Sequence, residues 1–476
     1  MNNLGVKNFT HKTLLCLFAY AAIRCVSYIF PPDTPLHGAS IFNTIVAAVA
    51  VAVVGYLLVK KNMWGWYLVA GEIILGGAGN FFALYGISLR TCLLFVSLGI
   101  FFVQQIGSYR HIVATNRIFV YLLSFLYLVV GLAALRGYLN GHGLGAVFAD
   151  TIPYLFFLYV FPLRQALQQE SQKCNILACS ALAAAIIGNT IFMAMTLAGF
   201  SSGLLVLQDG FYHWFRDVAG GKITELPLHF YRIVLNEQLL LIPILVWLFN
   251  SLLNKVGQKK LYLALTTCLL IVLSINLTRS YLLALGVGCL LLFRPKIWKR
   301  WIVGGVLLLV SFITIFIGVH LAATRGQSLG LEIFGLRLQS IVTPSLEQSS
   351  LSRLLLLPKI TEKIKMSPIL GEGLADTVTV YSPVLKKEIT TSQFDWGYLE
   401  IWAELGLIGL LAWGLFVLYL MYNFKQLRFV PAWQLASVAA LLVITLTSPA
   451  LFHVLGIIWL TILLAKNTTH EIPAIL

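Results

Sequence analysis

Long apolar runs constrain this chain of 476 residues more than any other feature. Hydrophobic residues make up 59% of it and only 11% is charged, and the mean hydropathy is +0.88. Runs long enough to cross a bilayer, which takes about 20 residues each, recur from Thr13 to Leu464. The sequence therefore predicts an all-α, polytopic membrane helix bundle of about 12–14 spans. These begin near residues 13, 41, 65, 88, 118, 151, 175, 232, 261, 280, 301, 396, 430 and 453.

The lysines and arginines set the expected orientation of the bundle. They concentrate in every second short connection, for example at Lys60–Lys61, in residues 255–260 and in residues 294–300. Because basic residues accumulate in cytoplasmic loops, both termini are predicted to face the cytoplasm. The formal charge of +15 is explained mainly by these loops. It forms no continuous basic stripe, so no nucleic-acid partner is expected.

The same alternation divides the chain into four parts. Residues 1–200 are expected to form N-terminal transmembrane helices, and residues 201–320 central helices with arginines at their ends. Residues 321–395 form a large extracytoplasmic loop, and residues 396–476 the C-terminal helices. A loop this long needs structure of its own. We expect a helix over residues 351–364 and a turn at residues 371–373.

Two arginines lie where the positive-inside rule disfavours them, at the extracytoplasmic surface. Arg232 begins the eighth predicted span, and Arg279 lies where the ninth meets the tenth. Such residues can snorkel to lipid headgroups. Here they face a loop that carries Arg325, Arg337 and Arg353. Because guanidinium groups bind phosphate oxygens in a bidentate way, this set favours a site for a lipid-linked diphosphate.

The sequence around these arginines resembles the O-antigen ligase and polymerase superfamily. The resemblance rests on ordered motifs that cover roughly residues 230–420. They are Phe230–Glu237; Thr278–Gly288, which contains Arg279-Ser280; Ser352-Arg353; Pro368-Ile369-Leu370-Gly371-Glu372-Gly373; and Asp395–Leu410. The N-terminal half resembles the family only in being made of membrane spans.

This resemblance implies a glycosyltransferase in the bacterial cytoplasmic (inner) membrane that works without a cofactor or metal. Its donor would be an oligosaccharide linked to undecaprenyl diphosphate, and its surroundings membrane lipids. A chain-length regulator and a flippase are the further partners that the resemblance suggests. An acceptor hydroxyl would attack the anomeric carbon and displace the lipid diphosphate with inversion.

One departure from the family pattern favours the polymerase branch. Ligases of the superfamily usually carry a His-Asn pair where this chain has Asp395-Trp396, and the large loop contains no histidine. The favoured prediction is a polysaccharide polymerase that joins lipid-linked repeat units. A ligase that transfers the glycan to another acceptor, and a transporter or flippase for a lipid-linked sugar, remain alternatives.

Candidate roles follow from this chemistry. Arg279 is predicted to be catalytic, and Arg232, Arg279, Arg353, Arg325 and Arg337 to bind the departing diphosphate. Asp395 is the predicted general base, although it can also cap the helix that starts beside it, and Glu372 is the second choice.

Several aromatic and charged residues allow more than one interpretation. Tyr398 either binds the acceptor or belongs to an interfacial aromatic belt. The rings from Phe211 to Trp214 allow the same belt assignment, or stacking on sugar faces. Arg24 and Glu72 are costly charges in the N-terminal spans, and a structural ion pair between them is plausible.

Overall fold

The computed structural model describes residues 3–33, 38, 40–106, 117–255, 258–343, 348–382, 387–426 and 432–467. These ranges contain 17 helices and three two-stranded hairpins. Nine helical segments within them are long and apolar enough to cross a membrane. Five shorter apolar helices occupy the remaining predicted span positions. The predicted all-α polytopic membrane fold is confirmed.

The N-terminal half is a series of apolar helices. One of them, α7, bends at Glu170, whose backbone leaves the helical conformation. A short hairpin of β1 (Ala83–Leu84) and β2 (Ile87–Ser88) precedes α4, and the Ser88 hydroxyl caps that helix by accepting from the Thr91 N–H. The helices are α1 Asn3–Ile29, α2 Ile41–Val59, α3 Trp64–Leu75, α4 Leu89–Gln105, α5 Arg117–Leu139, α6 Leu144–Leu155 and α7 Val160–Ser202.

The central part contains a small unit of one short helix and one hairpin, followed by four longer helices. The unit consists of the short helix α8 (Gly210–Asp217) and an antiparallel hairpin of β3 (Gly221–Leu226) and β4 (Phe230–Leu235). The helices that follow are α9 Leu241–Leu253, α10 Lys259–Asn276, α11 Arg279–Leu291 and α12 Trp298–Ala323.

The polar region after α12 has its own structure, as expected. It contains α13 (Leu331–Val342), α14 (Gln348–Met366) and a hairpin of β5 (Val378–Ser382) with β6 (Lys387–Thr391). The helix expected over residues 351–364 is therefore confirmed within α14. The last helices are α15 Gly397–Gln426, α16 Ala432–Thr445 and α17 Val454–Asn467.

The eighth span differs from its prediction at its start. Arg232 does not begin a helix. It lies in β4, paired with Thr224 of β3, and the apolar helical segment starts at Asn236. The reason is that the run from Phe230 to Leu235 is rich in aromatic and β-branched residues and pairs with a neighbouring strand. A short apolar run of this kind fits a strand as well as a helix.

Contacts between distant segments gather the polar connections at one end of the bundle. The Arg325 side chain lies 3.5 Å from the Ser202 carbonyl oxygen at the end of α7. Tyr28 at the end of α1 packs edge-on against the Phe211 ring of α8. The Arg136 side chain near the end of α5 donates to Ser367 after α14. We call this end the loop face. That it points away from the cytoplasm stays a prediction.

Buried ion pairs join the N-terminal helices, but not in the expected combination. Arg24 of α1 pairs with Glu237, at 2.6 Å between Nη2 and Oε2, and not with Glu72. Glu72 of α3 pairs instead with Arg90 of α4, at 3.0 Å. Glu237 also accepts hydrogen bonds from Tyr20 and Asn189. Because a charge inside an apolar bundle is costly, the nearest available partner in three dimensions determines each pair.

Candidate functional site

Three of the predicted arginines surround the connection between α10 and α11. The Arg232 Nε donates to the Asn276 carbonyl oxygen at 2.7 Å, and its Nη2 donates to Thr278 Oγ1 at 2.9 Å. The buried Arg337 of α13 donates from Nη1 to the Leu277 carbonyl oxygen at 3.0 Å. The Arg279 Nη1 donates to the backbone carbonyl of Arg337 at 3.1 Å. We call Arg232, Arg279 and Arg337 the arginine group.

The backbone at this connection explains why three arginines can meet there. Leu277 is buried and adopts a left-handed conformation (φ 49°), which ends α10 and turns the chain directly into α11. Backbone carbonyls at the end of α10 then accept hydrogen bonds from arginine side chains. The structure thus brings together a strand, a helix junction and a loop helix that are far apart in sequence.

The electrostatics of this place suit an anion. Arg279 is the first residue of α11, and the first turn of that helix contains no acidic residue. The N-terminal end of a helix carries partial positive charge, so a guanidinium group there adds to positive potential. Arg232 and Arg279 are half-buried, which strengthens their interaction with a bound anion relative to bulk water.

The segment after β4 holds Arg232 in position. Gln238 accepts from the Leu235 N–H at 3.2 Å, and its side-chain oxygen also accepts from the Asn276 side chain. The next residue toward β4, Glu237, is held by Arg24. The strand that carries Arg232 is therefore fixed at its end to α1, α7 and α10.

Arg353 and Asp395 form a second group, and both belong to the large loop of residues 321–395. The Arg353 Nε lies 3.9 Å from Asp395 Oδ2, and the Trp396 Nε1 donates to the Arg353 carbonyl oxygen at 3.1 Å. The Asp395 side chain is 48% exposed, so a ligand can reach it. The first helical bond of α15 runs from the Glu400 N–H to the Trp396 carbonyl. Trp396 therefore occupies the cap position, and Asp395 precedes it.

Asp395 also has an unusual backbone conformation, with φ 57°. Asp tolerates the left-handed region better than most residues because its short side chain bonds locally. Such positions cost free energy and often mark functional sites. With this conformation Asp395 is not part of the helix, which starts at Gly397.

The second choice for a base, Glu372, lies in a turn whose backbone is tightly held. We call residues 368–374 the glycine turn. Its Glu372 and Gly373 N–H groups donate to the carbonyls of Ala403 and Glu404, at 2.7 and 3.0 Å. The Leu407 N–H donates in return to the Pro368 carbonyl at 3.0 Å. The turn expected at residues 371–373 is present, and Glu372 is half-buried in it.

These hydrogen bonds satisfy backbone groups of α15 at a point where that helix is interrupted. The backbone leaves the helical conformation at Gly406, with φ 71° and ψ −172°. A Cβ atom added at Gly371 would clash with the Glu404 backbone, and one added at Gly406 would clash with the Ile369 carbonyl. The two backbones approach so closely that only glycine fits at either position.

The other side of the glycine turn contacts the end of α5. The Leu374 N–H donates to the Ala133 carbonyl at 3.1 Å, and the Asn140 side chain donates to the Glu372 carbonyl at 2.7 Å. Gly137 and Gly373 are in direct backbone contact, so neither has space for a Cβ atom. The turn therefore joins two transmembrane helices.

A charged cluster that the sequence did not indicate lies directly after this turn. Asp376 is 1% exposed, and its Oδ1 accepts from Lys363 Nζ at 2.6 Å. The His142 Nε2 lies 3.7 Å from the same oxygen, and its Nδ1 lies 2.7 Å from the Leu374 carbonyl oxygen. The loop contains no histidine of its own, yet His142 from the α5–α6 connection contacts it. No local pattern could have predicted this pairing across more than two hundred residues.

Two further candidates lie apart from these groups. Arg325 is exposed and has only a long contact, at 3.5 Å, with the Ser202 carbonyl. The Tyr398 hydroxyl donates to the Leu442 carbonyl of α16 at 2.8 Å. This bond favours a packing role for Tyr398 between α15 and α16.

Comparison with known proteins gives one match, and it covers the part of the chain that contains most of the candidate site residues. The family described as O-antigen ligase matches residues 263–414. This match supports the O-antigen ligase/polymerase superfamily for residues 263–414. The resemblance inferred from the motifs is therefore confirmed there. No curated protein and no solved structure matches the chain.

The O-antigen ligase segment runs from α10 into α15. It contains the glycine turn, Asp395 and every candidate arginine except Arg232, which β4 brings to its edge. The match supports a function of the O-antigen ligase/polymerase type in general terms. Among the described residues, no group of three or more His, Cys, Asp or Glu side chains is arranged to hold a metal ion.

Proposed function

We propose that the protein is a polysaccharide polymerase that joins oligosaccharide repeat units carried on undecaprenyl diphosphate, outside the cytoplasmic membrane. The observation that carries this proposal is the arginine group at the start of α11. Its three guanidinium groups surround the connection between α10 and α11, and their residues lie inside or beside the O-antigen ligase segment.

In this proposal the arginines stabilise the leaving group. The bond between the anomeric carbon and the diphosphate oxygen breaks, and the diphosphate departs with the electron pair. Charge therefore develops on phosphate oxygens, and donors already in position for that charge lower the barrier. Arg232 and Arg279 are the principal candidates, with Arg337 next to them and Arg325 at the periphery of the face.

Asp395 is the proposed general base for the acceptor hydroxyl. Its carboxylate would take the hydroxyl proton as the oxygen attacks the anomeric carbon from the side opposite the diphosphate, which inverts the configuration. Its exposure and its position next to Arg353 support this role. Glu372 is the second candidate, although its backbone serves the glycine turn.

The matching family, described as O-antigen ligase, keeps a ligase as the second candidate function. A ligase would carry out the same displacement with a different acceptor, so the arginine group and Asp395 would have the same roles. A transporter is the third candidate, and it would form no glycosidic bond.

One reconstitution separates the three functions. Purified protein is given lipid-linked repeat units and excess chelator, with no nucleotide sugar, and the glycans are resolved by size. A polymerase yields a ladder of longer lipid-linked glycans. A ligase forms product only when a second acceptor is added, and a transporter leaves every glycan at its original length. Loss of the ladder in chelator, with recovery on addition of magnesium, would contradict the metal-independent mechanism.

A further inference from the structure

A cleft on the loop face lies between the end of α1 and the short helix α8. Its volume is about 360 Å³, which is within the range of small-ligand sites. Its lining includes Tyr28, Pro31, Gly210, His213, Trp214 and Asp217. None of these residues belongs to the arginine group or to the O-antigen ligase segment. We call it the aromatic cleft.

Two ring nitrogens at this cleft are buried and make no hydrogen bond with the described residues. They are Trp214 Nε1 and His213 Nδ1. Trp214 is only 6% exposed. Buried polar groups in native proteins nearly always have a partner, and leaving one unsatisfied costs about 1–3 kcal/mol. A ligand with oxygen acceptors would satisfy the indole N–H, which can only donate.

The walls of the cleft are aromatic and held in place. The Trp214 ring packs edge-on against Tyr28 at 5.5 Å between centroids and lies nearly parallel to Phe81 at 6.1 Å. Phe192 of α7 also packs edge-on against it, at 6.1 Å. Rings that are fixed before binding lose little conformational entropy when a ligand arrives. Their faces are apolar, and they suit the C–H faces of a pyranose ring.

The charge at the cleft is balanced. Asp217 accepts two hydrogen bonds from Arg216, at 2.7 and 2.9 Å. These bonds lower the pKa of the Asp217 carboxyl, so it is ionised at neutral pH and forms a neutral pair with the guanidinium. The carboxylate can still accept from hydroxyl groups. Fixed rings, an indole N–H donor, an imidazole nitrogen and a carboxylate acceptor without net charge suit a neutral polyhydroxylated ligand.

The position of the cleft relates it to the reaction site. Three residues separate α8 from β3, and β3 pairs with the strand that carries Arg232. At Gly221 the Phe215 ring leaves no space for a side chain, so helix and hairpin pack as one unit. A glycan whose reducing end carries the diphosphate extends away from the arginines toward other parts of the loop face.

From these observations we propose that the aromatic cleft is a binding site for a neutral segment of the glycan, separate from the site that binds the diphosphate. This inference rests on the proposed function for the identity of the glycan. It does not depend on whether the protein polymerises or ligates it.

The test is a binding titration with a ligand that lacks the diphosphate. The probe is the lipid-free oligosaccharide repeat unit, released by mild acid hydrolysis of the sugar–diphosphate bond of the lipid-linked repeat unit from the same cells. Calorimetry on the purified full-length protein should show saturable binding. Trp214→Phe keeps the ring and removes the N–H, so we expect Kd to rise by about tenfold. Tyr28→Ala removes the exposed wall of the cleft, and it should weaken binding as well.

Matched controls separate the cleft from general effects. Trp298→Phe changes an exposed tryptophan at the opposite end of α12 from the loop face, and Arg232→Lys changes the diphosphate site. Both should leave Kd within about twofold of the original protein. Size-exclusion chromatography checks that each variant is folded.

The outcomes distinguish this inference from the proposed function. Binding that both Trp214→Phe and Tyr28→Ala leave unchanged, or that phospholipid vesicles without sugar abolish by competition, would overturn the cleft assignment. No binding by a protein that still makes glycan ladders would overturn it too, while the proposed function would stand. Binding that depends on Trp214, in a protein that makes no glycosidic bond, would retain the cleft and reject the polymerase.

Discussion

The glycine turn and two members of the arginine group, Arg279 and Arg337, lie in the O-antigen ligase segment, but the turn and the arginine group are built in opposite ways. The turn is made of backbone in contact with backbone, and side chains are absent where it meets Gly406 and Gly137. The arginine group is made of long side chains that converge on one connection. The first is a structural joint, and the second is suited to bind a ligand. The difference predicts that mutations will separate folding from turnover.

The largest expected effect is on the yield of folded protein, and it comes from mutations where the glycine turn meets α15. Gly371→Ala or Gly406→Ala puts a side chain at a positive φ and into a neighbouring backbone, so we expect little or no folded protein in the membrane. The measurement is the yield of monodisperse protein after solubilisation. Gly414→Ala is the matched control, because it lies in the same helix with open space around it. It should be neutral or slightly stabilising. Normal yield of both turn variants would contradict the comparison.

The next effect concerns Asp395. Asp395→Asn keeps the shape of the side chain and its tolerance of the left-handed backbone, but it removes the proton acceptor. We expect the polymerisation rate to fall by roughly 10²–10⁴, with unchanged protein yield. Asp395→Gly relieves the strained backbone and should be as inactive and at least as stable. Full activity in Asp395→Asn would assign the base elsewhere, and Glu372→Gln then becomes the variant to measure.

Arg279→Lys and Arg232→Lys test whether the arginine group binds the diphosphate. Lysine keeps the charge but loses the bidentate geometry, so each replacement should lower the rate by roughly 10²–10³, or about 2.7–4 kcal/mol of barrier. The measurement is glycan production at equal protein level. Lys359→Gln, which changes an exposed charge on α14, is the control and should change the rate little. Normal polymerisation by both arginine variants would exclude the diphosphate role.

The smallest effect should come from Tyr398. Tyr398→Phe removes one hydrogen bond to the Leu442 carbonyl, which is worth about 0.5–1.5 kcal/mol. We expect a small decrease in thermal stability and a rate near that of the original protein. A large loss of rate at unchanged stability would show that the hydroxyl binds the acceptor and would sharpen the boundary between packing and binding residues.

The sequence predicts the helices well because membrane spans are determined by local composition. An apolar run of sufficient length must be a helix in a bilayer, and the observed helices begin close to the predicted positions. Part of the loop was also predictable, since the spacing in residues 351–364 and the glycines at 371 and 373 act locally.

What the sequence did not predict depends on distant contacts. Arg232 lies in a strand because residues 221–226 provide a partner, which its own apolar run cannot reveal. Arg24 binds Glu237 across more than two hundred residues, and His142 reaches Asp376 over a similar separation. Three-dimensional proximity selects such pairs, and a single sequence contains no local signal for it.

The break in α15 has a consequence for how the loop can move. Four peptide groups of this helix at the break, Ala403, Glu404, Leu407 and Ile408, are satisfied by residues 368–373. In an apolar layer each such group left without a partner costs several kcal/mol, so withdrawal of the turn would be as unfavourable as unfolding a large part of the helix. Any motion of the loop that preserves these bonds must pivot here.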